Sequence, residues 1–185
     1  MNSTATAALI PTGTWAVDPA HSTVGFSVKH LGIATVRGQF DQFEGTLDVG
    51  DDLSEARAYG SAQVESINTN EPDRDAHLRS ADFFGAEVNP ELRFESTAIH
   101  PLDEDTLEIE GELTMNGVTN PVRLAAVVLG SEIDPWGNER VGIEVTGQVK
   151  RGDWDMTFNQ ALGSGNLLVG EKVTLNLDIS AVKQA

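Results

Sequence analysis

Leu107-Glu108-Ile109-Glu110-Gly111-Glu112-Leu113-Thr114-Met115 puts apolar residues on every second position and acidic or polar ones between them. That period of two belongs to a β-strand with one buried face. Asn116-Gly117 follows directly. Both residues tolerate positive φ, and the pair is the strongest short signal for a hairpin. Val122 to Leu129 then returns as the partner strand. Its near-continuous apolar run predicts that both of its faces are covered. Pro121 belongs at its start or on an edge, because it cannot donate to a ladder.

The same alternation continues in both directions. Downstream, after a turn at Trp136-Gly137-Asn138, Val141, Ile143, Val145 and Val149 share one face. Arg151-Gly152-Asp153 breaks that run, and Trp154 to Phe158 briefly resumes it. Val173, Leu175, Leu177 and Ile179 mark the last strand. Upstream, Leu92, Phe94, Ser96 and Ala98 alternate, with His100 in the same parity. Val24, Phe26 and Val28 do likewise, with His30 following. Val36, Gly38 and Phe40 form the next strand, then Leu47 and Val49. Ala56, Ala58, Gly60, Ala62 and Val64 make an apolar face of unusually small residues. Interiors leave few voids, so such a face calls for a bulky neighbour or a ligand.

One long segment does not alternate: Pro72-Asp73-Arg74-Asp75-Ala76-His77-Leu78-Arg79-Ser80-Ala81-Asp82-Phe83-Phe84. Proline suits a first helical turn, and Asn70 or Asp73 is available to cap it. The expectation is one or two helical turns lying across the end of the β structure. Leu78, Phe83 and Phe84 would face inward, and Arg74, Asp75, Arg79 and Asp82 would form an ion-pair and capping network. The segment reads equally well as a plug and as a lid over a ligand cavity.

About eight main strands with short links, and no repeated helical pattern between them, exclude a parallel βαβ sheet. A sandwich and an up-and-down barrel remain. Eight strands can close a barrel whose interior holds side chains or one small ligand, and closure removes exposed edges. Residues 13–185 are expected as one domain, after a disordered tail at 1–12. The 185 residues carry a net charge of −17 and no cysteine. The charge disfavours nucleic acid and anionic membrane surfaces. The missing cysteines exclude disulfides and thiolate chemistry. No apolar run reaches the roughly 20 residues of a membrane helix. The start lacks the basic and apolar regions of a secretory signal, so a cytoplasmic location is expected.

Candidate chemistry is sparse. His21, His30, His77 and His100 lack metal-binding spacing. His21 reads as a turn residue tied by Asp18 or Ser22. His30 and His77 are candidates to meet at one end of the barrel and touch a ligand head group. There is no Gly-x-Ser-x-Gly elbow and no phosphate-binding glycine loop.

Several segments together resemble one family. They are Trp15 to Phe26 with Asp18-Pro19-Ala20-His21-Ser22, Lys29-His30, Gly38-Gln39-Phe40, and Ser66 to Asn70. Arg74-Asp75-Ala76-His77-Leu78-Arg79-Ser80 with Phe83-Phe84 is the most specific of them. Gly111 to Thr119, Lys150-Arg151-Gly152-Asp153-Trp154 and Val169 to Val173 complete the pattern. In this order they look like the YceI-like family of polyisoprenoid-binding, lipocalin-like proteins. The resemblance implies an all-β, extended eight-stranded antiparallel barrel with a short helical lid segment and an elongated apolar cavity. It departs from the family at Asp155, where a glycine is usual, and Met1 to Ile10 is not expected to be the signal peptide that many members carry.

The function expected is non-enzymatic binding of an isoprenoid-like or other long-chain lipid, a polyprenyl chain or quinone tail, for storage, transport or sequestration. The ligand-binding set expected is Phe26, Val28, His30, Phe40, Ala62, Val64, His77, Leu78, Phe83, Phe84, Phe94, Met115, Trp154 and Phe158. No catalytic residue, metal or cofactor is expected, and the bound lipid is the one ligand. Neither nucleic acid nor stable membrane insertion is expected, with room for a homodimer. Two alternatives stand beside this: a hydrolase or isomerase using His30, His77 and Asp75, and a barrel packed shut that serves as a stress or interaction protein.

Overall fold

The computed structural model describes residues 10–185. Its strands are β1 (Gly13–Val17), β2 (Thr23–His30), β3 (Ala34–Phe40), β4 (Phe43–Val49), β5 (Arg57–Gln63) and β6 (Ile67–Asn68). They continue as β7 (Glu91–Pro101), β8 (Thr106–Met115), β9 (Val118–Ile133), β10 (Glu139–Lys150) and β11 (Val169–Lys183). All pairings between them are antiparallel. Six strands are halves of three longer ones: β1 runs into β2, β3 into β4, and β5 into β6. Counted that way, eight long strands close on themselves. β11 pairs β10 along one edge, and β2 then β1 along the other. This is the eight-stranded antiparallel lipocalin-like barrel expected from the sequence.

The three interruptions lie side by side. Pro19 has no N–H to give, and the Asp18 carboxylate turns the chain by accepting from the Ala20 amide at 3.0 Å. Where β3 gives way to β4, the Asp41 amide donates to the Ser66 carbonyl at 3.0 Å, and the Gln42 amide to Ser66 Oγ at 3.0 Å. The breaks at Asp41 and at Val64–Ser66 thus bond to each other, the break at Asp18–Ser22 is tied to Ser180 of β11, and the three form a crease in the wall, while β7 to β11 run through without such a break.

The hairpin at Asn116-Gly117 forms with φ of +52° and +75°, the mirror-image turn whose twist matches the strands. Pro121 pairs with Glu112 of β8 in the stretch of β9 that β10 has already left, since that pairing ends at Ala125. Its missing N–H therefore removes no ladder bond. The coverage expected on both faces of this strand is not observed. Val122, Leu124, Ala126 and Val128 are buried, whereas Ala125 is exposed and Leu129 is 62% exposed. The apolar run reflects small or aliphatic residues on a solvent face, and only one face is covered.

His100 is also corrected. A register shift between Ser96 and Ala98 inserts one residue, and a single extra residue reverses which face the following side chains take. Ile99 is turned into the core at 2% exposure, and His100 faces outward. The expected tail at 1–12 falls mainly outside the described residues, and its last part is corrected: Ile10 is 1% exposed. The indole of Trp15, itself buried, donates to the Pro11 carbonyl at 3.0 Å and holds this stretch against the barrel.

The helix α1 (Pro72–Arg79) lies where the lid was expected. Its cap is Glu71, whose carboxylate accepts from the Arg74 amide at 2.7 Å, in place of Asn70 or Asp73. The network around it differs in its partners. Asp75 is buried and accepts from the amide and hydroxyl of Thr69, and Arg74 donates to the hydroxyl and carbonyl of the same residue. Both charges therefore clasp Thr69. His77 pairs with Asp82 at 2.9 Å.

Candidate functional site

Alternation along the strands aims one row of side chains per strand into the barrel. On β11 these are Val169, Val173, Leu175, Leu177, Ile179 and Ala181, and all border a cavity of about 310 Å³. Several of them are only half-buried, although they point inward, because the surface left free faces the hollow. The strand registers define two ends. Met115, Lys150 and His30 mark the end near α1, whereas Leu107, Ile133 and Lys183 mark the other. Leu78, Phe83 and Phe84 line the cavity at the α1 end, and Ile10 and Leu53 at the far end.

Much of the expected set is brought together here. Phe26, Val28, Phe40 and Ala62 line the wall, as do Phe94 and Met115. Phe40 sits between Phe26 and Phe84, with ring centroids 5.8 Å away on either side. Two rings lie over glycines of the neighbouring strand. A Cβ on Gly38 would stand 2.4 Å from Phe26 Cζ, and one on Gly111 2.4 Å from Phe94 Cζ. The glycines let these rings lie flat along the wall, leaving the middle of the barrel open. The small face of β5 has two causes. Ala58 and Ala62 border the cavity, but Gly60 is dictated by backbone, since a Cβ there would lie 2.6 Å from the Glu44 carbonyl oxygen.

Five expected residues lie elsewhere. Val64 is buried at 1% exposure, but in the helical turn Val64–Ser66 beyond the end of β5. Trp154 is buried behind the wall in the turn Arg151–Trp154, where its indole donates to the Leu113 carbonyl at 2.9 Å. Phe158 backs the lid, with its ring 5.4 Å from Phe83 and 4.7 Å from His77. His77 is half-exposed. His30 keeps the inward parity but stands at the end of its strand, exposed, where no opposite wall remains to cover it. Among the described residues His30, His77 and Asp75 form no hydrogen bond or ion pair with one another. His77 is engaged by Asp82 and Asp75 by Thr69. The acid–base set of the enzyme alternative is therefore not assembled.

Two features went unread in the sequence. Arg151 is 5% exposed and borders the cavity. Its guanidinium donates to the carbonyls of Gly170 (2.8 Å), Met156 (2.6 Å) and Val169 (3.3 Å). Burial pushes its pKa below the ordinary arginine value, and attraction to Glu171 opposes that. A break in a strand pattern carries no sign of such burial. The second is on the outer face, where His100, Glu108 and Glu110 offer ligand atoms within 4.8 Å of one another. Glu110 there also pairs with Arg123 at 3.1 Å. Cross-strand register between β7 and β8, not sequence spacing, brings them together.

The profile of the YceI-like domain matches residues 15–181. The chain belongs to the YceI-like family. It is 36% identical over 165 residues to Protein YceI of Escherichia coli O157:H7, covering 89% of this chain and 83% of that one. Among solved structures, the Campylobacter jejuni YCEI protein superimposes with a TM-score of 0.72 at 29% identity, covering 91% of this chain and 96% of the other. A polyisoprenoid binding domain from Saccharophagus degradans has the same fold, with a TM-score of 0.71 at 13% identity, 92% of this chain and 98% of that domain. None of the helices in this YceI-like chain is long and apolar enough to cross a membrane, among the described residues.

Proposed function

We propose that this YceI-like barrel binds a long-chain, isoprenoid-like lipid in its interior and acts without catalysis. The observation that carries this reading is the open, aliphatic and aromatic hollow running from Ile10 and Leu53 to Phe83 and Phe84. Such a wall recognises apolar surface and little else. Burial is worth roughly 25 cal/mol per Å². About 500 Å² of hydrocarbon placed inside would yield about 12 kcal/mol before association costs of comparable order. Retention of a lipid then rests on the area it buries, with no reactive group involved. The same hollow disfavours a barrel packed shut, and the described histidines offer no assembled acid–base pair to a substrate inside. The polyisoprenoid binding of the S. degradans domain agrees with this reading.

Native mass spectrometry of protein purified without detergent, with organic extraction of whatever is bound, tests it. A discrete hydrophobic adduct, or uptake of added polyprenyl lipid or quinone, is expected. An apo mass that takes up neither would refute it.

A further inference from the structure

The two ends of the hollow are closed differently. At the end away from α1 the wall packs solid. Trp15, Val49, Ile99, Leu107, Val141 and Ala181 are each at most 4% exposed there. Along β11 the change is direct: Ala181 is buried, whereas Ile179, Leu177, Leu175 and Val173 are half-buried although they point inward. The hollow therefore begins one inward step from Ala181. Ile10 and Leu53 sit on this packing, each 1% exposed, and both border the cavity. Neither belongs to a strand. Leu53 opens the single helical turn Leu53–Glu55 between β4 and β5, which the Asp52 carboxylate caps by accepting from the Ser54 amide at 2.9 Å. Ile10 precedes β1, and its segment is tied down by Thr12 Oγ1, which donates to the Gly50 carbonyl at 3.2 Å, and by the Trp15 indole on Pro11. Closure of the barrel rests on the strand ladders and requires neither side chain. Connecting segments ordinarily run over the surface, yet these two each turn one aliphatic side chain into the end of the hollow. At the α1 end the cover is looser, since Leu78 and Phe84 stay half-buried.

We propose that Ile10 and Leu53 form a floor that sets the longest chain the barrel accepts, so that lipids are selected by length. This rests on the lipid-binding reading above and adds a size limit to it; the floor acts on whichever end of the molecule reaches it. A methylene inside the hollow is shielded from water about as well as one inside a bilayer, so chain length by itself brings no preference over a membrane. Once a chain meets the floor, each further methylene has to stand in water, which lowers affinity about fourfold. A close-packed interior of low compressibility does not give way to it.

The test offers delipidated protein an equimolar mixture of straight-chain primary alcohols, from dodecanol to octacosanol, in phosphatidylcholine vesicles. Native mass spectrometry after removal of the vesicles reads which lengths are retained. Wild type is expected to retain alcohols up to one length and to lose longer ones about fourfold per added methylene. Ile10→Ala and Leu53→Ala should move that limit up by about one to three carbons, and Ile10→Phe, which raises the floor, should move it down. Leu175→Ala removes a side chain of the same size as Leu53 from the middle of the wall and should leave the limit in place. A limit that moves as far in Leu175→Ala as in Ile10→Ala overturns the proposal, because volume and not the floor then decides. A limit unmoved in both Ile10 variants also overturns it, as does wild type retaining every length alike; each of these leaves the lipid reading standing. If Leu53→Ala does not fold, the two Ile10 variants decide, since Ile10 lies outside every strand ladder. Retention of no alcohol of any length overturns both readings.

Discussion

Ala58 offers a direct way to ask whether ligands occupy the hollow. It lies on β5, its amide is held by Ser96 Oγ at 2.9 Å, and its methyl group borders the cavity. In Ala58→Phe the backbone bond to Ser96 is untouched, and the new ring has open space to enter. A phenylalanine side chain buries ~150 Å² or more, which at 25 cal/mol per Å² is about 4 kcal/mol. Rotamer entropy takes back about 1 kcal/mol. The apo barrel should thus be no less stable than wild type, and its melting temperature should stay level or rise. A lipid in the same place loses a comparable area of wall, so its dissociation constant should rise by about two to three orders of magnitude. The assay pairs thermal unfolding of delipidated protein with a geranylgeraniol titration by native mass spectrometry. An unchanged affinity together with an unchanged or raised melting temperature would refute the reasoning, because the ring would then fill a hollow that the ligand does not use.

Replacing Phe83 and Phe84 together by alanine should speed lipid release, read as the off-rate in a displacement experiment, by more than it lowers the population of folded barrel at 25 °C. Equal release rates would sink the lid role. The carboxyl of Asp18 is lowered to about 2 by its hydrogen bond from Arg140 and then by His21; Arg140 also holds Asp134 below the usual carboxylate range. Because the folded pKa of Asp18 is depressed from 3.8, its stabilisation is complete above about pH 4 and is lost as pH falls toward 2. Arg140→Ala should therefore be less stable than wild type near neutrality, by about 1 kcal/mol from Asp18 after solvent screening. That gap should narrow between pH 4 and 2 in urea melts, with the share from Asp134, held lower still by the same arginine, persisting to more acid pH, and a gap constant with pH would contradict the assignment. Trp154→Phe removes the donor to the Leu113 carbonyl at a buried site and should lower stability by about 1–3 kcal/mol, with the lipid affinity of the folded fraction unchanged.

Much of this architecture was legible because a barrel wall obeys one rule repeated many times. Phe26, Val28, Phe40, Phe94 and Met115 could be aimed inward from parity alone, and the Asn116-Gly117 turn from its tolerance of positive φ. Parity fails where the ladder changes. One bulge in β7 turned His100 outward. At the end of β2, parity still placed His30 inward, but nothing there covers it. Parity also says nothing of depth: Trp154 and Phe158 share the aromatic character of the lining yet pack behind it. Arg151 was hidden for another reason. Its burial depends on the carbonyls of Met156, Val169 and Gly170 meeting around it, a convergence of distant backbone that no local pattern records.

The crease at Asp18, Asp41 and Val64–Ser66 has a consequence for how such barrels vary. On either side of it the strands are registered by independent ladders, β1 with β4 and β2 with β3. A residue inserted into one of these interruptions is absorbed as slack in a turn, and neither ladder has to slip. The same insertion within β8 or β10 would reverse every inward side chain beyond it. On the opposite side an extra residue has to be taken up as a bulge, as in β7, where it turns the following side chains over. At the crease the perimeter of the hollow can be retailored for ligands of different bulk without turning any strand over.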